Sequence, residues 1–235
     1  GFRGTSSPQI TNVTFTGNTA DMDGGAIFND GFDGASSPQV TNVTFTGNIA
    51  DRDGGAIYNE SLLGTNSPKI TNVILWGNSA TRNGNEIDNR DATPTLSYTL
   101  VEGLNPSGTG NLDGTDPANA PRFVDANGPD GVFGTFDDDV RLAFGSPAIG
   151  AGDNTALPAD IADLDGDGDT AEPIPFDLLG EARIQDGTVS LGAYERAVDV
   201  ARLRLVARPG AESSTFTLSN RGNADVTGAA VGLGL

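Results

Sequence analysis

The chain has 235 residues, 36% of them hydrophobic, and 32 acidic side chains against 13 basic ones give it a net charge of −19. That charge argues against nucleic acid and anionic membrane surfaces as partners, the absence of Cys removes disulfides and thiolate chemistry, and the absence of His removes the commonest general base. Any catalysis would have to use carboxylates, Lys, Arg or Tyr, and the acidic balance suits an extracellular setting rich in calcium.

Residues 1–90 say nearly the same thing three times at an interval of thirty, and the first two copies agree at 23 of 30 positions. A fixed period of this size means stacked units. The apolar positions Ile10, Val13, Phe15, Ala20 and Ile27 recur as Val40, Val43, Phe45, Ala50 and Ile57, then as Ile70, Val73, Leu75, Ala80 and Ile87. They lack a helical period, and β-branched residues alternate with Thr and Asn, so they read as short strands. Asn12, Asn18 and Asn29 return in both later copies; Asn tolerates the left-handed backbone, so it belongs at corners. Three corners predict three strands per coil, with Asn ladders running between coils at the ~4.8 Å strand spacing.

The expected fold is therefore all-β, a right-handed parallel β-helix of about thirty residues per coil, the hand being the default for parallel crossovers. With no initiator Met, no leader pattern, no segment of transmembrane length and a repeat at its first residue, the chain reads as a fragment of a longer protein.

On the outer face, Asp51, Arg52 and Asp53 with Arg82 form a charged turn, and Trp76 stands where the earlier copies have Thr16 and Thr46. These five residues are the candidate ligand face. The ion-rich turn reads as a solvated edge or as the carboxylates and cation of a polysaccharide-cleaving site; Trp76 reads as a platform for a sugar ring or as cover for the C-terminal half.

PTLSYTLVEG (94–103) keeps the strand rhythm, with Leu96, Thr99 and Val101 in the places of Ile70, Val73 and Leu75, four residues short of the period. Residues 104–139 are rich in Gly, Asn, Asp and Pro; Asp125, Asn127, Asp130, Asp137, Asp138 and Asp139 offer hard oxygens to a cation, with calcium preferred. DLDGDGDTAEP gives a sharper signal, since Asp163, Asp165 and Asp167 take positions one, three and five of an EF-hand-like loop. Gly168 supplies the turn, Asp169 and Glu172 follow, and Ile174 replaces the usual closing Glu. Segments 140–154 and 177–195 read as strands that wrap or extend the end of the stack, with Arg183 and Glu195 a structural couple. Three alternating strands are predicted within 197–235.

Several segments carry a family resemblance. GGAI with a following aromatic and Asn, preceded by FTGN, resembles the repeats of polymorphic outer-membrane and other bacterial surface β-helix proteins. FVDANGPDGVFGTFDDDVRL, GSPAIGAGDN, DLDGDGDT and GTVSLGAYE are similar to the C-terminal region of secreted bacterial proteins with choice-of-anchor Q domains, and SNRGNADVTGAAV resembles the opening of an immunoglobulin-like adhesion module. The resemblance implies a secreted or cell-surface protein and a β-helix finished by irregular coils.

The expected organisation is regular coils over 1–103, an irregular acidic region over 104–196 and a partial immunoglobulin-like β module over 197–235. The function expected is a noncatalytic, calcium-stabilised structural or adhesive element. Its expected partners are a polysaccharide or cell-surface glycan and further domains of the parent chain. A polysaccharide lyase, glycosidase or sugar-binding module is the alternative.

Overall fold

The computed structural model describes residues 3–196, so the partial immunoglobulin-like module expected over 197–235 lies outside the described residues. The three repeats fold into three coils of a parallel β-solenoid. The first coil holds β1 (Thr5–Ser6), β2 (Gln9–Thr16), β3 (Thr19–Ala20) and β4 (Ile27–Asp30). The second holds β5 (Ala35–Ser36), β6 (Gln39–Thr46), β7 (Ile49–Ala50) and β8 (Ile57–Glu60). The third holds β9 (Thr65–Asn66), β10 (Lys69–Trp76), β11 (Ser79–Ala80) and β12 (Ile87–Arg90). Pairing between these coils is parallel and joins each residue to its own repeat, as in Val13 to Val43 and Val43 to Val73.

Four stacks of strands run between the coils, where three per coil were expected. The difference lies in what the asparagines do. Asn12, Asn42 and Asn72 adopt φ of 53°, 54° and 55°, yet each bends a long strand whose pairing continues on both sides. Asn18 and its equivalents follow the Gly17 turn and do form a corner. Asn29 is no corner at all: it lies within β4 with its side chain buried. The extra stack comes from the two-residue strands ahead of each Ser-Pro.

The coil interior is filled by Val40, Val43, Phe45, Ile57, Ile70, Val73 and Leu75, with Phe15 stacked on Phe45 at 4.9 Å and 7°. Repeating one side chain every thirty residues makes such columns self-complementary. The fourth strand, β13 (Thr95–Val101), pairs with β10 through Leu96 to Ile70, Thr99 to Val73 and Val101 to Leu75, the register read from sequence. Thr99 then places a hydroxyl where the core had Val, and it donates to the Ile70 carbonyl at 3.3 Å and the Ser97 carbonyl at 3.0 Å.

Asparagine ladders hold the register. Asn18 Nδ2 donates to Asn48 Oδ1 at 2.8 Å and Asn48 Nδ2 to Asn78 Oδ1 at 2.7 Å, while the backbone N–H groups of Asn18 and Asn48 donate to the same two oxygens. A second ladder runs from Asn29 through Asn59 to Asn89. The first ladder ends on Glu86, which accepts from both the N–H and the side-chain amide of Asn78. Glu86 occupies the place of Ala26 and Ala56, and the neighbouring Asn85 accepts from the Ala80 N–H. Side chains of the third copy thus satisfy groups that a further coil would otherwise pair.

Residues 140–196 do not continue the stack as irregular coils, the arrangement implied by the resemblance; they lie along the side of the long sheet β2–β6–β10–β13. They bond to every coil: Asn12 Nδ2 donates to the Phe176 carbonyl, the Ala193 N–H to Thr44 Oγ1, and the Gly192 N–H to the Asn72 carbonyl. The cause is the outward column Thr14, Thr44, Ile74, Leu100, which turns apolar along the stack and is covered by Leu142, Ala148 and Leu191. An antiparallel pair, β14 (Phe123–Asp125) with β15 (Asp139–Leu142), frames the loop between them.

Asn48→Ala is expected to lower stability by about 3 kcal/mol in urea unfolding, since it strands partners on both neighbouring coils at about 1–3 kcal/mol per buried unsatisfied group. Asn89→Ala, at the exposed end of its ladder, should cost less than about 1 kcal/mol. Equal losses would refute the ladder account.

Candidate functional site

Asp23 and Asp53 occupy equivalent turns one coil apart, and the Arg within the corresponding turn of the next coil reaches back to each. Arg52 Nη2 donates to Asp23 Oδ2 at 2.9 Å, and Arg82 Nη2 makes a short bond to Asp53 Oδ2. Asn83 donates to the other Asp53 oxygen at 2.9 Å. The result is a staircase of ion pairs with the carboxylates buried and the guanidinium groups partly exposed. Burial tends to raise the Asp53 carboxyl, but the Asn83 and Arg82 hydrogen bonds win and hold it below the usual range. Asp88, by contrast, is pushed up by burial and by the charge of Asp53. Asp51 is exposed beside the staircase.

Trp76 does not join these charges. It is half-buried against the cluster of Ile74, Leu100 and Leu142 and lines a shallow apolar cleft with Pro121, Phe123 and Phe133. Of its two sequence readings, this is the packing one. The loop that supplies Phe133 sits on the turn glycines: a Cβ on Gly47 would lie 2.3 Å from Gly134 Cα, and one on Gly77 would lie 2.2 Å from the Phe133 ring.

The acidic residues sort themselves by distance. In the first loop, Asp130, Asp137 and Asp138 bring one carboxylate oxygen each within 4.8 Å of one another. They are engaged by their own loop, since Asp138 accepts from the Gly134 and Thr135 N–H groups and Asp137 from the Thr135 hydroxyl. Asp125 pairs across from Asp139 in the antiparallel ladder, Asn127 is exposed, and Asp139 is bound by Arg141. Burial opposes ionisation of Asp139, and the bonds from Arg141 overcome it to lower its pKa.

In the second loop, Asp163, Asp165 and Asp167 converge within the same distance, as the spacing predicts, with Gly168 at φ +88°. Gly168 N–H donates to Asp163 Oδ1 at 3.0 Å and Asp169 N–H to Asp167 Oδ1 at 2.7 Å. Asp169 accepts from the Ala171 N–H. Glu172 joins a different group, with Asp165 and a residue that sequence reasoning passed over, Asp160. Among the described residues these carboxylates are the ones placed to hold a cation.

Residues 12–30 and 42–60 match the Chlamydia polymorphic membrane protein repeat. Each matched span contains the three recurring asparagines, the turn glycines and the Asp of the staircase, so what recurs is the part that stacks. No curated protein matches the chain, and no solved structure does.

Two buried ionic clusters lie away from these loops. Arg183, fully buried, forms an ion pair with Glu195 at 3.2 Å and donates to the carbonyls of Ala193, Ser190 and Gly192. It is the structural couple expected from sequence. Burial lowers the Arg183 pKa and raises that of Glu195, the mutual attraction working against both shifts. The second cluster is the ladder terminus. Burial pushes the Glu86 carboxyl up to about 8 against the two Asn78 bonds, and the charge and hydrogen bond of Glu102 add to the rise. Sequence carried a signal for it: an acid stands at a core Ala position in the third copy.

Because the folded pKa of Glu86 is raised, its protonated form stabilises the fold below about 4.5, and that contribution is lost as pH climbs toward about 8. Glu86→Gln should match the parent in stability near pH 4.5 and exceed it by more than about 1 kcal/mol above pH 8. Urea unfolding across that range checks this; parallel pH profiles would show that Glu86 is ionised throughout.

Proposed function

We propose that this protein is a noncatalytic structural element of a bacterial cell surface, a stiff β-solenoid that spaces or adheres, with acidic loops that take up calcium. The observation that carries this reading is the staircase. The arginines and the Asp23 and Asp53 carboxylates of the outer face are bound to one another from coil to coil, in the manner of a stacking device. The match to a membrane protein repeat family of Chlamydia supports a surface or outer-membrane association; among the described residues no helix is long and apolar enough to cross a membrane. The partner class proposed is a polysaccharide or cell-surface glycan, alongside further domains of the parent chain.

One observation favours a second reading, a carbohydrate-active enzyme. The Asn83 and Arg82 bonds hold the Asp53 pKa below the usual range while burial pushes that of Asp88 up, and carboxyls driven apart in this way are how glycosidases divide acid and base roles.

Incubation with calcium and a panel of neutral and acidic polysaccharides separates the two. Retention of the protein on a polymer whose length stays unchanged is expected. Shortened polymers, with cleavage abolished by Asp53→Asn or Asp88→Asn, would overturn the structural reading.

A further inference from the structure

The strands that flank the second acidic loop form the base of a hairpin. Ala159 pairs antiparallel with Pro173, the Asp160 N–H donates to the Glu172 carbonyl at 2.7 Å, and the Ile174 N–H donates to the Pro158 carbonyl at 3.0 Å. Asp160 and Glu172 are therefore cross-strand neighbours, and like charges directly opposite one another destabilise a ladder. Asp160 is only 1% exposed. Its Oδ2 accepts from the Leu164 N–H at 2.7 Å, while its Oδ1 has no partner, and neither has the buried Oε1 of Glu172.

A buried carboxylate oxygen without a partner is costly. Asp165 adds a third, with one oxygen of each of the three residues within 4.8 Å of the others. Among the described residues no basic side chain answers them: the charges acting most strongly on Glu172 are those of Asp165, Asp167, Asp169 and Asp160, and none of the three carboxylates belongs to a described ion pair. Two oxygens bound on opposite sides of a calcium ion at about 2.4 Å stand about 4.8 Å apart, so the three fit around one ion.

We propose that Asp160, Asp165 and Glu172 form a calcium site at the base of this hairpin, with Asp160 its buried anchor. The inference rests on the calcium part of the function proposed above and assigns it to a place. It also shifts the site from the one the EF-hand-like spacing predicts: Asp163 and Asp167 accept from N–H groups of their own loop, and the two buried oxygens that lack partners, Asp160 Oδ1 and Glu172 Oε1, lie at the hairpin base. Calcium here acts on the whole cover. Leu157 and Ile174, just outside the hairpin base, pack with Val189, and the segment 156–161 lines a cleft with Gln9, Gln39, Thr11 and Thr41 of the long sheet. Neutralising the base fastens this segment to the coils.

The test is calorimetric titration of the full chain with calcium chloride, paired with thermal unfolding with and without calcium. The parent should bind calcium and melt at a higher temperature in its presence. Glu172→Gln should weaken calcium binding at least ten-fold and lose the calcium-dependent rise. In calcium-free buffer it should melt at or above the parent, because it removes a cross-strand repulsion. Asp160→Asn should weaken binding likewise, and Asp91→Asn, at an exposed position after β12 and outside both acidic loops, should leave it unchanged.

Parent-like calcium binding by Glu172→Gln would overturn this site and leave calcium uptake elsewhere standing. A loss of melting temperature in Glu172→Gln that is equal with and without calcium would assign Glu172 a packing role and also overturn it. No binding by the parent at about 10 mM calcium, well above the range of extracellular calcium modules, would end both the site and the calcium part of the proposed function. That result would leave the polysaccharide outcome to decide between rod and enzyme. Should Asp160→Asn fail to fold, Glu172→Gln decides the matter alone.

Discussion

Each side chain on the coils meets its own copy thirty residues later, and the rest of the structure depends on that constraint. A column of one residue type has to satisfy itself, which apolar residues do by stacking and asparagine does through an amide that is both donor and acceptor. The amide ladders have a direction. In the columns of Asn18 and Asn29 the donors point toward the later coil, so each column needs an acceptor at its far end. Glu86 supplies one for Asn78, and Asn89 ends at the surface. The Asn42–Asn72 rung runs the other way, with Asn72 donating to Asn42, so its far end needs a donor; the backbone N–H of Asp153 fills that place at 2.8 Å. Between Asn12 and Asn42 the rung is missing, and Asn12 Oδ1 and Asn42 Nδ2 are both left without partners.

The lateral cover follows from where the repeat departs from itself. Thr14 and Thr44 give way to Ile74 and Leu100 on the outward face of the long sheet, and apolar area there is removed from water by Leu142, Ala148 and Leu191. The turn glycines serve the same end. Gly17 and Gly47 have φ near +65° and no side chain, which lets Gly134 approach within a distance no Cβ would permit. The identical repeat builds the solenoid, and its deviations decide what packs against it.

Much of this was legible in the sequence. The period fixed the parallel register, and the fourth strand could be aligned with Ile70, Val73 and Leu75 despite its four-residue deficit. What periodicity cannot show is direction: Asn29 recurs as faithfully as Asn18, yet one faces inward within a strand and the other turns a corner. The acidic motif was legible as a loop, and its Asp163, Asp165 and Asp167 do converge. Alternating Asp at 163, 165 and 167 marks the exposed tip, whereas the buried oxygens come from Asp160 and Glu172, brought together by a two-residue ladder that no local pattern announces. Sequence left wrapping and extension both open for 140–154 and 177–195, because the contacts that decide between them, such as Asn12 to Phe176, join residues 164 positions apart.

The distribution of charge completes the argument. Residues 3–196 contain nine basic side chains, and seven of them are in ion pairs: Arg3, Arg52, Arg82, Arg90, Arg141, Arg183 and Arg196. Three of these, Arg52, Arg82 and Arg90, reach back to the previous coil, so cationic charge is concentrated where stacking needs it. Residues 160–172 hold six carboxylates and no Lys or Arg. Asp160 nonetheless sits at 1% exposure, held by the hairpin ladder rather than by a counter-charge. Burial without a counter-charge is costly, so at Asp160 the fold sets backbone pairing against electrostatics, whereas at Asp23 and Asp53 an arginine from the next coil answers the carboxylate.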